Sequence, residues 1–173
     1  MMKTVTPTGV ERTLGEEELI VSKTDVKGRI TYANDVFMRM AKYSADELIG
    51  APHSIVRHPD MPRCVFKLLW DTIEAKQEIF AYVLNLAGDG CHYWVYAHVT
   101  PTFDNQGNII GYHSNRRKPD RGPIEKVKPI YDLLLKEEAK HANAKEGMNA
   151  SFNMMVDFLK QQGVGYDQFV LSL

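Results

Sequence analysis

The sequence predicts an α+β domain with an antiparallel sheet, followed by a helical extension. Segments with strand composition are joined by short glycine-containing turns, and such hairpins produce antiparallel neighbours. Segments with helical periodicity are grouped between the second and third strands rather than placed after every strand, which is typical of α+β domains. The 173 residues are 44% hydrophobic and 25% charged. This length and composition predict one globular domain with an appendage.

The first part of the chain predicts a hairpin followed by helices. The evidence is alternation of polar and apolar side chains in the strands, glycine in the turn, and helical spacing of apolar residues afterwards. Asn34 or Asp35 caps the first helix, and a capping-box pattern beginning at Ser44 opens the next. These elements are a strand at 19–25, a turn at 26–28, a strand at 29–33, a helix after 34, and a short helix that stops at Gly50.

The middle of the chain predicts one longer helix and three strands. Asp60 is placed to cap the helix, with Pro62 in its first turn. Glycines in the two connecting turns favour hairpins, and Pro101 is expected to end the second of the three strands. That strand carries bulky side chains at every position, so both of its faces are expected to pack. These elements are a helix at 63–76 and strands at 79–86, 91–100 and 108–115.

The last third of the chain predicts helices. A linker at 118–123 separates it from the strands, and apolar residues then recur with helical spacing in two stripes that begin at Val127 and Met148. The stripes predict packing on the sheet together with dimerisation. The basic run from Arg116 to Lys118 closes the last strand and is interpreted as a solvated end.

Composition excludes several classes of protein. The net charge is −1 and no basic stripe runs through the sequence, so nucleic acid is not an expected partner. No apolar run approaches the length of a membrane span, and the N-terminus lacks the apolar run of a signal peptide. Cys64 and Cys91 have neither metal-ligand spacing nor a compelling pairing. A reducing cytoplasm is the expected location.

The segment from Val56 to Pro62 is the strongest candidate for a site. It places a cation, an imidazole and a carboxylate close together, as Arg57, His58 and Asp60. Two prolines bracket the acid and restrict φ, which makes the loop stiff. A stiff loop that holds such groups indicates a site, although a helix start uses some of the same residues. The structural alternative for Arg57 is an ion pair with Asp60, worth about 1 kcal/mol or less if exposed.

The order of elements and several motifs resemble a PAS domain, and among PAS domains the Aer-type sensors of bacterial energy taxis. The similarity runs from about Ile20 to Arg117. It implies a five-stranded antiparallel sheet that wraps short helices around one cofactor cavity. The matching pieces are residues 31–35, 52–62 and 66–70, Asn85, Gly90 and residues 92–95.

The resemblance also implies a function. Aer-type domains hold FAD in the cavity and report redox state or oxygen through a conformational change, without catalysing a reaction. A stand-alone form without a receptor signalling module is expected, with a chemoreceptor or other signalling protein on a separate chain as its partner. A homodimer through the flanks or C-terminal helices is expected too. The implied division is a flexible lead-in at 1–15, a PAS sensor domain at 16–118 and a C-terminal helical extension at 119–173.

The residues expected to bind the cofactor are Asn34, Arg57, His58, Asp60, Trp70 and Asn85. The three loop residues match those that Aer-type domains need for flavin binding, and the guanidinium suits a diphosphate. Asn34 has two interpretations, a helix cap and a cavity residue near the isoalloxazine ring. Trp70 is either core or cavity wall. Asn85 interrupts an apolar strand, where a buried amide needs a partner that a flavin edge would supply.

One departure from the family pattern and two alternatives remain open. Flavin-binding members carry Trp, a small residue and Gly where this chain has Ile-Phe-Ala at 79–81, so that aromatic contact is displaced or substituted. Haem is an alternative cofactor, with His53, His58 or His113 as the axial ligand. A cofactor-free PAS interaction module is the other alternative.

Overall fold

The computed structural model describes residues 4–173 and has the predicted α+β fold. The strands are β1 (Leu19–Thr24), β2 (Ile30–Ala33), β3 (Ile79–Leu86), β4 (His92–Phe103) and β5 (Ile109–Arg117). They form one antiparallel sheet in the order β2-β1-β5-β4-β3. The helices are α1 (Asp35–Ala41), α2 (Ala45–Leu48), α3 (Arg63–Glu74), α4 (Arg121–Ala139), α5 (Ala144–Gln162) and α6 (Tyr166–Leu171), with a 3-10 turn at His53–Val56.

The sheet is covered on both faces, as the bulk on both faces of β4 predicted. Alternate β4 residues such as Tyr93 and Val95 are fully buried in the main core under α1 and α3. The opposite face carries Tyr82, Trp94 and Tyr96, which pack against apolar residues of α4 and α6. The inner face therefore holds the core, and the outer face is an aromatic platform for the C-terminal helices.

The C-terminal helices pack on the rest of the chain through their apolar stripes. Leu134 of α4 and Met155 of α5 join the same apolar cluster as Phe37 and Val65. Val127 of α4 is buried against the outer face of the sheet. The predicted packing is confirmed, and the predicted dimerisation stays a prediction.

Two strand ends differ from the predictions. Pro101 does not end β4, because it pairs with Tyr112 of β5 and the strand continues to Phe103. The pairing with β3 stops at Val99, so the missing N–H of Pro101 lies toward a side with no neighbouring strand. Strand β5 runs two residues further than predicted, to Arg117. That extension places Arg116 inside the sheet.

Residues 8–14 are held on the sheet, whereas the sequence predicted a loose lead-in at 1–15, of which residues 1–3 lie outside the described residues. Thr8 N donates to Gly90 O at 2.9 Å, and Arg12 N donates to His92 O at 2.7 Å. Glu11 forms a parallel bridge with His92, and Leu14 is 2% exposed. Residues 8–14 therefore belong to the folded unit.

The described part of the chain has neither a metal cluster nor a membrane helix. No group of three or more histidine, cysteine or acidic side chains in residues 4–173 could hold a metal ion. None of the helices there combines the length and the apolar character needed to cross a membrane. Cys64 and Cys91 are both free thiols.

Candidate functional site

A cavity of about 280 Å³ lies between the inner face of the sheet, the 3-10 turn and α3. Its volume is near the lower end of the roughly 300–1,000 Å³ that small-molecule sites occupy. Three of the six predicted cofactor residues, Arg57, Trp70 and Asn85, line it. The other three lie outside it.

Aromatic side chains form one wall of the cavity. Trp70 on α3 meets Tyr112 on β5 edge to face, with the ring centroids 5.4 Å apart, and Phe66 lies one turn earlier on α3. The turn between β1 and β2 closes onto this wall at Gly28. Its φ is +77°, and a Cβ there would lie 3.1 Å from the Trp70 ring. Trp70 is therefore a cavity wall as well as part of an apolar cluster.

Asn85 is a buried polar residue that faces the cavity. It pairs with Tyr93 across the β3–β4 ladder and is 4% exposed. Its Nδ2 has no hydrogen-bond partner within the described residues. A buried donor left without an acceptor costs about 1–3 kcal/mol. The amide is therefore placed to donate to a ligand that carries an acceptor.

The structure brings a further residue into the cavity that the sequence analysis missed. Arg116 was interpreted as part of a solvated end, but it is 3% exposed and lines the cavity. It lies opposite Ile20 of β1 and Ala97 of β4, both inner-face positions. Alternation from Tyr112 through Ser114 predicts this orientation once the strand is extended. Because the predicted strand ended at residue 115, this alternation was not extended to Arg116.

The contacts of Arg116 within the protein are few. Its Nη2 donates to Ser22 Oγ at 2.5 Å, and its guanidinium carbon lies 4.4 Å from the centroid of the Phe37 ring. Nε and Nη1 have no hydrogen-bond partner in residues 4–173. Burial lowers the pKa of Arg116 to about 10, so the side chain remains a cation at neutral pH.

Ser22 extends the hydrogen bonding of Arg116 to His53, a half-buried histidine. His53 Nε2 lies 3.0 Å from Ser22 Oγ, and the His53 ring stacks on Phe37. Burial, with the Arg116 charge as a second cause, lowers the pKa of His53 to about 3. The ring is therefore neutral at neutral pH, and Nε2 accepts the proton of the Ser22 hydroxyl, whose oxygen accepts from Arg116. The three groups form a directed hydrogen-bond chain.

Asn34 is the cap of α1 and does not line the cavity, contrary to its expected role in cofactor binding. Its Oδ1 accepts from Phe37 N and Val21 N, both at 3.0 Å. Its Nδ2 donates to Leu19 O at 2.8 Å. These three bonds join α1 to β1 and leave little hydrogen-bonding capacity for a ligand. Of the two interpretations from sequence, the helix cap is the one observed.

His58 and Asp60 also lie outside the cavity. His58 is buried, and its Nδ1 accepts from Asp60 N at 3.0 Å, so the ring fixes the loop. The Asp60 side chain is 74% exposed. It does not cap α3, whose N-cap is Pro62 without any side-chain hydrogen bond. The acceptor at that helix start is Glu138 of α4, whose Oε1 accepts from Cys64 N at 3.1 Å.

Arg57 connects the cavity to a second, more open groove. The guanidinium lies 4.5 Å from the centroid of the Phe66 ring, and no carboxylate in the described chain is within ion-pair distance of it. The predicted alternative, an ion pair with Asp60, is therefore wrong. The groove has a volume of about 820 Å³ and is also lined by Arg63. Arg57 and Ser54 line both spaces, so they form the boundary between them.

Of the three histidines considered for haem, His53 and His113 line the cavity with their rings hydrogen-bonded inside the protein, and His58 lies outside it. His53 lies in the cavity wall with its Nε2 bonded to Ser22. His58 lines only the groove. His113 is among the residues that line the cavity, and its Nε2 lies 3.0 Å from Asn115 Oδ1, two residues along β5.

Phe80, the aromatic at the altered 79–81 segment, faces away from the cavity. Its ring stacks on His98 with centroids 4.2 Å apart, on the outer face of the sheet. It therefore supports the C-terminal helices and offers no stacking contact to a cavity ligand. Within the described residues, Trp70, Phe66 and Tyr112 are the aromatic side chains of the cavity wall.

The family of the chain follows from comparison with known proteins. A family model described as the PAS fold matches residues 20–114, which is more than half of the chain. The chain belongs to the PAS family. The sheet order and the helices between β2 and β3 agree with this assignment, so the predicted PAS fold is confirmed.

Relatives of this PAS protein include signalling proteins of bacteria. The aerotaxis receptor of Escherichia coli (strain K12) is 38% identical over 121 residues, which are 70% of this chain and 24% of the receptor. A nitrogen fixation regulatory protein of Klebsiella pneumoniae is 29% identical over 102 residues, which are 59% of this chain and 21% of the relative. This PAS protein thus spans about a quarter or less of the length of these relatives.

Solved structures with the same fold include light-oxygen-voltage (LOV) domains. The dark structure of the blue-light photoreceptor Aureochrome1 LOV superposes with a TM-score of 0.54 and 25% identity, covering 69% of this chain and 84% of that one. A LOV domain studied with a flavin analogue superposes with a TM-score of 0.56, 71% coverage of this chain and 87% of that one; at 18% identity it supports the fold alone.

Proposed function

We propose that this PAS domain is a sensor of redox state or oxygen that holds FAD in its cavity and signals by conformational change without catalysing a reaction. The observation that carries the proposal is the combination of an aromatic wall with the unpartnered amide of Asn85 in one small cavity. An isoalloxazine ring has a flat apolar body and an edge of nitrogen and oxygen acceptors. Similarity to an aerotaxis receptor and to LOV photoreceptor domains supports the same ligand class.

The position of Arg57 favours FAD over a smaller flavin. If the isoalloxazine ring lies in the cavity, the ribityl chain attached to it must pass into the groove. It would pass Arg57 and Ser54, which form the boundary between the two spaces. A guanidinium binds diphosphate oxygens in a bidentate manner, and Arg63 adds a second cation to the groove, which the carboxylates of Glu47 and Glu138 also line. The remainder of a dinucleotide has room in the groove. Flavin supplies the redox chemistry, while the residues of this chain bind and orient it.

Strand β3 provides the route by which the cavity affects the C-terminal helices. Asn85 faces the cavity, while the carbonyls of Phe80 and Tyr82 in the same strand accept hydrogen bonds from α6 and α4. Tyr166 Oη donates to Phe80 O at 2.9 Å, and Tyr131 Oη donates to Tyr82 O at 2.6 Å. A change in hydrogen bonding at Asn85 therefore alters the strand on which both helices rest. The helices would transmit it to a signalling protein on a separate chain or to a second copy.

The absorbance spectrum of the purified protein, followed by identification of the released cofactor by chromatography, tests the proposal. We expect two broad bands in the near-ultraviolet and blue, and release of FAD on denaturation. Asn85→Ala should lower the flavin content, whereas Asn105→Ala, an exposed asparagine, should not. A sharp Soret band would show that the bound cofactor is haem and would contradict the assignment of flavin. A colourless protein that takes up no flavin would contradict the proposal and favour a cofactor-free module.

A further inference from the structure

The side chains that line the cavity carry an excess of positive charge. Lys27, Arg57 and Arg116 line it, and none of the lining residues in the described chain is an aspartate or glutamate. Lys27 is exposed and Arg57 is half-buried, so water can solvate both. Arg116 is the cation that lies deep in the sheet.

Arg116 is a buried charge without a compensating anion in the protein. The Ser22 hydroxyl is a neutral acceptor and the Phe37 ring offers only its π face. Two of the three guanidinium nitrogens lack any hydrogen-bond partner in residues 4–173. A buried charge without a partner costs several kcal/mol, and native proteins avoid this cost by supplying an anion. The anion here must come from outside the chain.

We propose that Arg116 is the charge partner of the ligand, donating from Nε and Nη1 to an anionic or electron-rich edge of the bound ring and favouring the negatively charged form of that ring. The proposal rests on the proposed function insofar as the ring is that of a flavin. A guanidinium carries N–H donors that point in several directions within one flat, charged plane, so Nε or Nη1 can reach an acceptor on a planar ring edge while Nη2 keeps its bond to Ser22, whereas a lysine ammonium provides only a point charge.

The consequence for a flavin is a shift of its reduction potential. Two electrons, supplied by dithionite in the test, and one proton taken up at N5 convert the oxidised ring into a reduced ring with one negative charge. A guanidinium beside the ring stabilises that charge much more in a buried site than in water. Arg116 should therefore make the bound flavin easier to reduce.

Reductive titration of the flavin-loaded protein tests this consequence. Arg116→Met should move the midpoint potential to more negative values, equivalent to at least a tenfold loss of affinity for the reduced over the oxidised ring. The midpoint potential of Arg116→Lys should lie between those of the wild type and Arg116→Met. Arg117→Met is the matched control, because Arg117 is exposed on the opposite face of the same strand, and it should leave the potential unchanged. Equal potentials for the wild type and Arg116→Met would overturn the proposal.

Unfolding of the ligand-free protein tests the charge argument without flavin. Arg116→Met should be at least as stable as the wild type when no ligand is bound, since it removes an uncompensated charge, and less stable when ligand is added. A wild type that is more stable than Arg116→Met in the absence of ligand would show a structural role and overturn the proposal. A protein that takes up no flavin, but in which ligand-free Arg116→Met remains at least as stable, would reject flavin and retain an anionic ligand.

Riboflavin and flavin mononucleotide distinguish the ring from the phosphate as the source of the anion. If Arg116 contacts the ring, Arg116→Met should weaken the binding of both ligands by a similar factor. Loss of affinity for the mononucleotide alone would assign Arg116 to the phosphate and contradict the proposed contact.

Discussion

Two asparagines, Asn34 and Asn85, lie at opposite extremes of hydrogen-bond satisfaction. Asn34 makes three hydrogen bonds to the backbone of α1 and β1. The Nδ2 of Asn85 makes none within the described chain, although the residue is 4% exposed. A satisfied side chain contributes to folding, whereas a buried unsatisfied one is placed for a ligand.

Replacing these asparagines should therefore separate stability from binding. Asn34→Ala should lower the free energy of unfolding by about 1–3 kcal/mol, because a helix cap and further buried bonds are lost. The flavin bound per folded molecule should stay the same. Asn85→Ala should show the reverse pattern. Urea unfolding and the ratio of flavin to protein measure the two effects, and folded Asn34→Ala without flavin would contradict the assignment.

His53 predicts a pH dependence of stability. Its folded pKa is about 3 and its ordinary value 6.5, so between these values the unfolded state binds a proton that the folded state does not. The contribution of neutral His53 to the free energy of unfolding is therefore fully present above pH 6.5. It falls as the pH drops toward 3, by up to about 1.4 kcal/mol per pH unit. His53→Asn should reduce the slope of unfolding free energy against pH by about one proton.

At the scale of elements, α3 depends on a distant helix for its N-terminal cap. Glu138 Oε1 on α4 accepts from Cys64 N at 3.1 Å and from Ser151 Oγ on α5 at 2.8 Å. One carboxylate thus joins three helices, and its negative charge lies at the positive end of α3. No local pattern near residue 60 could have predicted this contact, since the two residues are 74 positions apart.

Removal of the Glu138 carboxylate should destabilise the junction of α3, α4 and α5. Glu138→Ala should lower the free energy of unfolding by about 1–3 kcal/mol, because a partly buried N–H and a hydroxyl lose their acceptor. Glu137→Ala, which removes only surface contacts with Lys140 and His141, should cost less than 1 kcal/mol. Chemical denaturation measures the free energy of unfolding of both variants. An equal decrease in the two would show that the junction formed by Glu138 makes no specific contribution to stability.

The strands were easier to predict than the site. Strand β3 was predicted to the residue because turn signals bound an apolar run, and the Ser44 capping box is a local pattern that the structure contains. Trp70 and Asn85 could be identified because they are unusual in their elements. Arg116 was missed because its position in the cavity depends on strand register. The two interpretations of Asn34 could not be separated from sequence, because only its actual partners distinguish a cap from a ligand contact.

At the scale of the whole molecule, the sheet separates a cavity from a helical cover. The inner face holds the cavity and the main core, and the outer aromatic face is buried by α4 and α6. The tyrosines of those helices also occupy carbonyls of β3, the edge strand, and so protect an edge that would otherwise be free to pair.

A variant truncated after residue 120 should therefore no longer remain monomeric in solution. It would expose Tyr82, Trp94 and Tyr96 together with the β3 edge. Large exposed apolar patches promote association. Light scattering during size-exclusion chromatography should show oligomers, and a dye for apolar surface should bind more strongly than to the full chain. A monomer with unchanged thermal stability would contradict the structural role of the C-terminal helices.

We propose that the redox state of a flavin in the cavity is transmitted through β3 to the C-terminal helices. Hydrogen-exchange mass spectrometry of the flavin-loaded protein, oxidised and reduced, tests this transmission. We predict that exchange changes in β3 and in the segments of α4 and α6 around Tyr131 and Tyr166, and that Tyr131→Phe with Tyr166→Phe uncouples the helices from β3. Changes confined to residues that line the cavity, with identical exchange in α4 and α6, would contradict the claim.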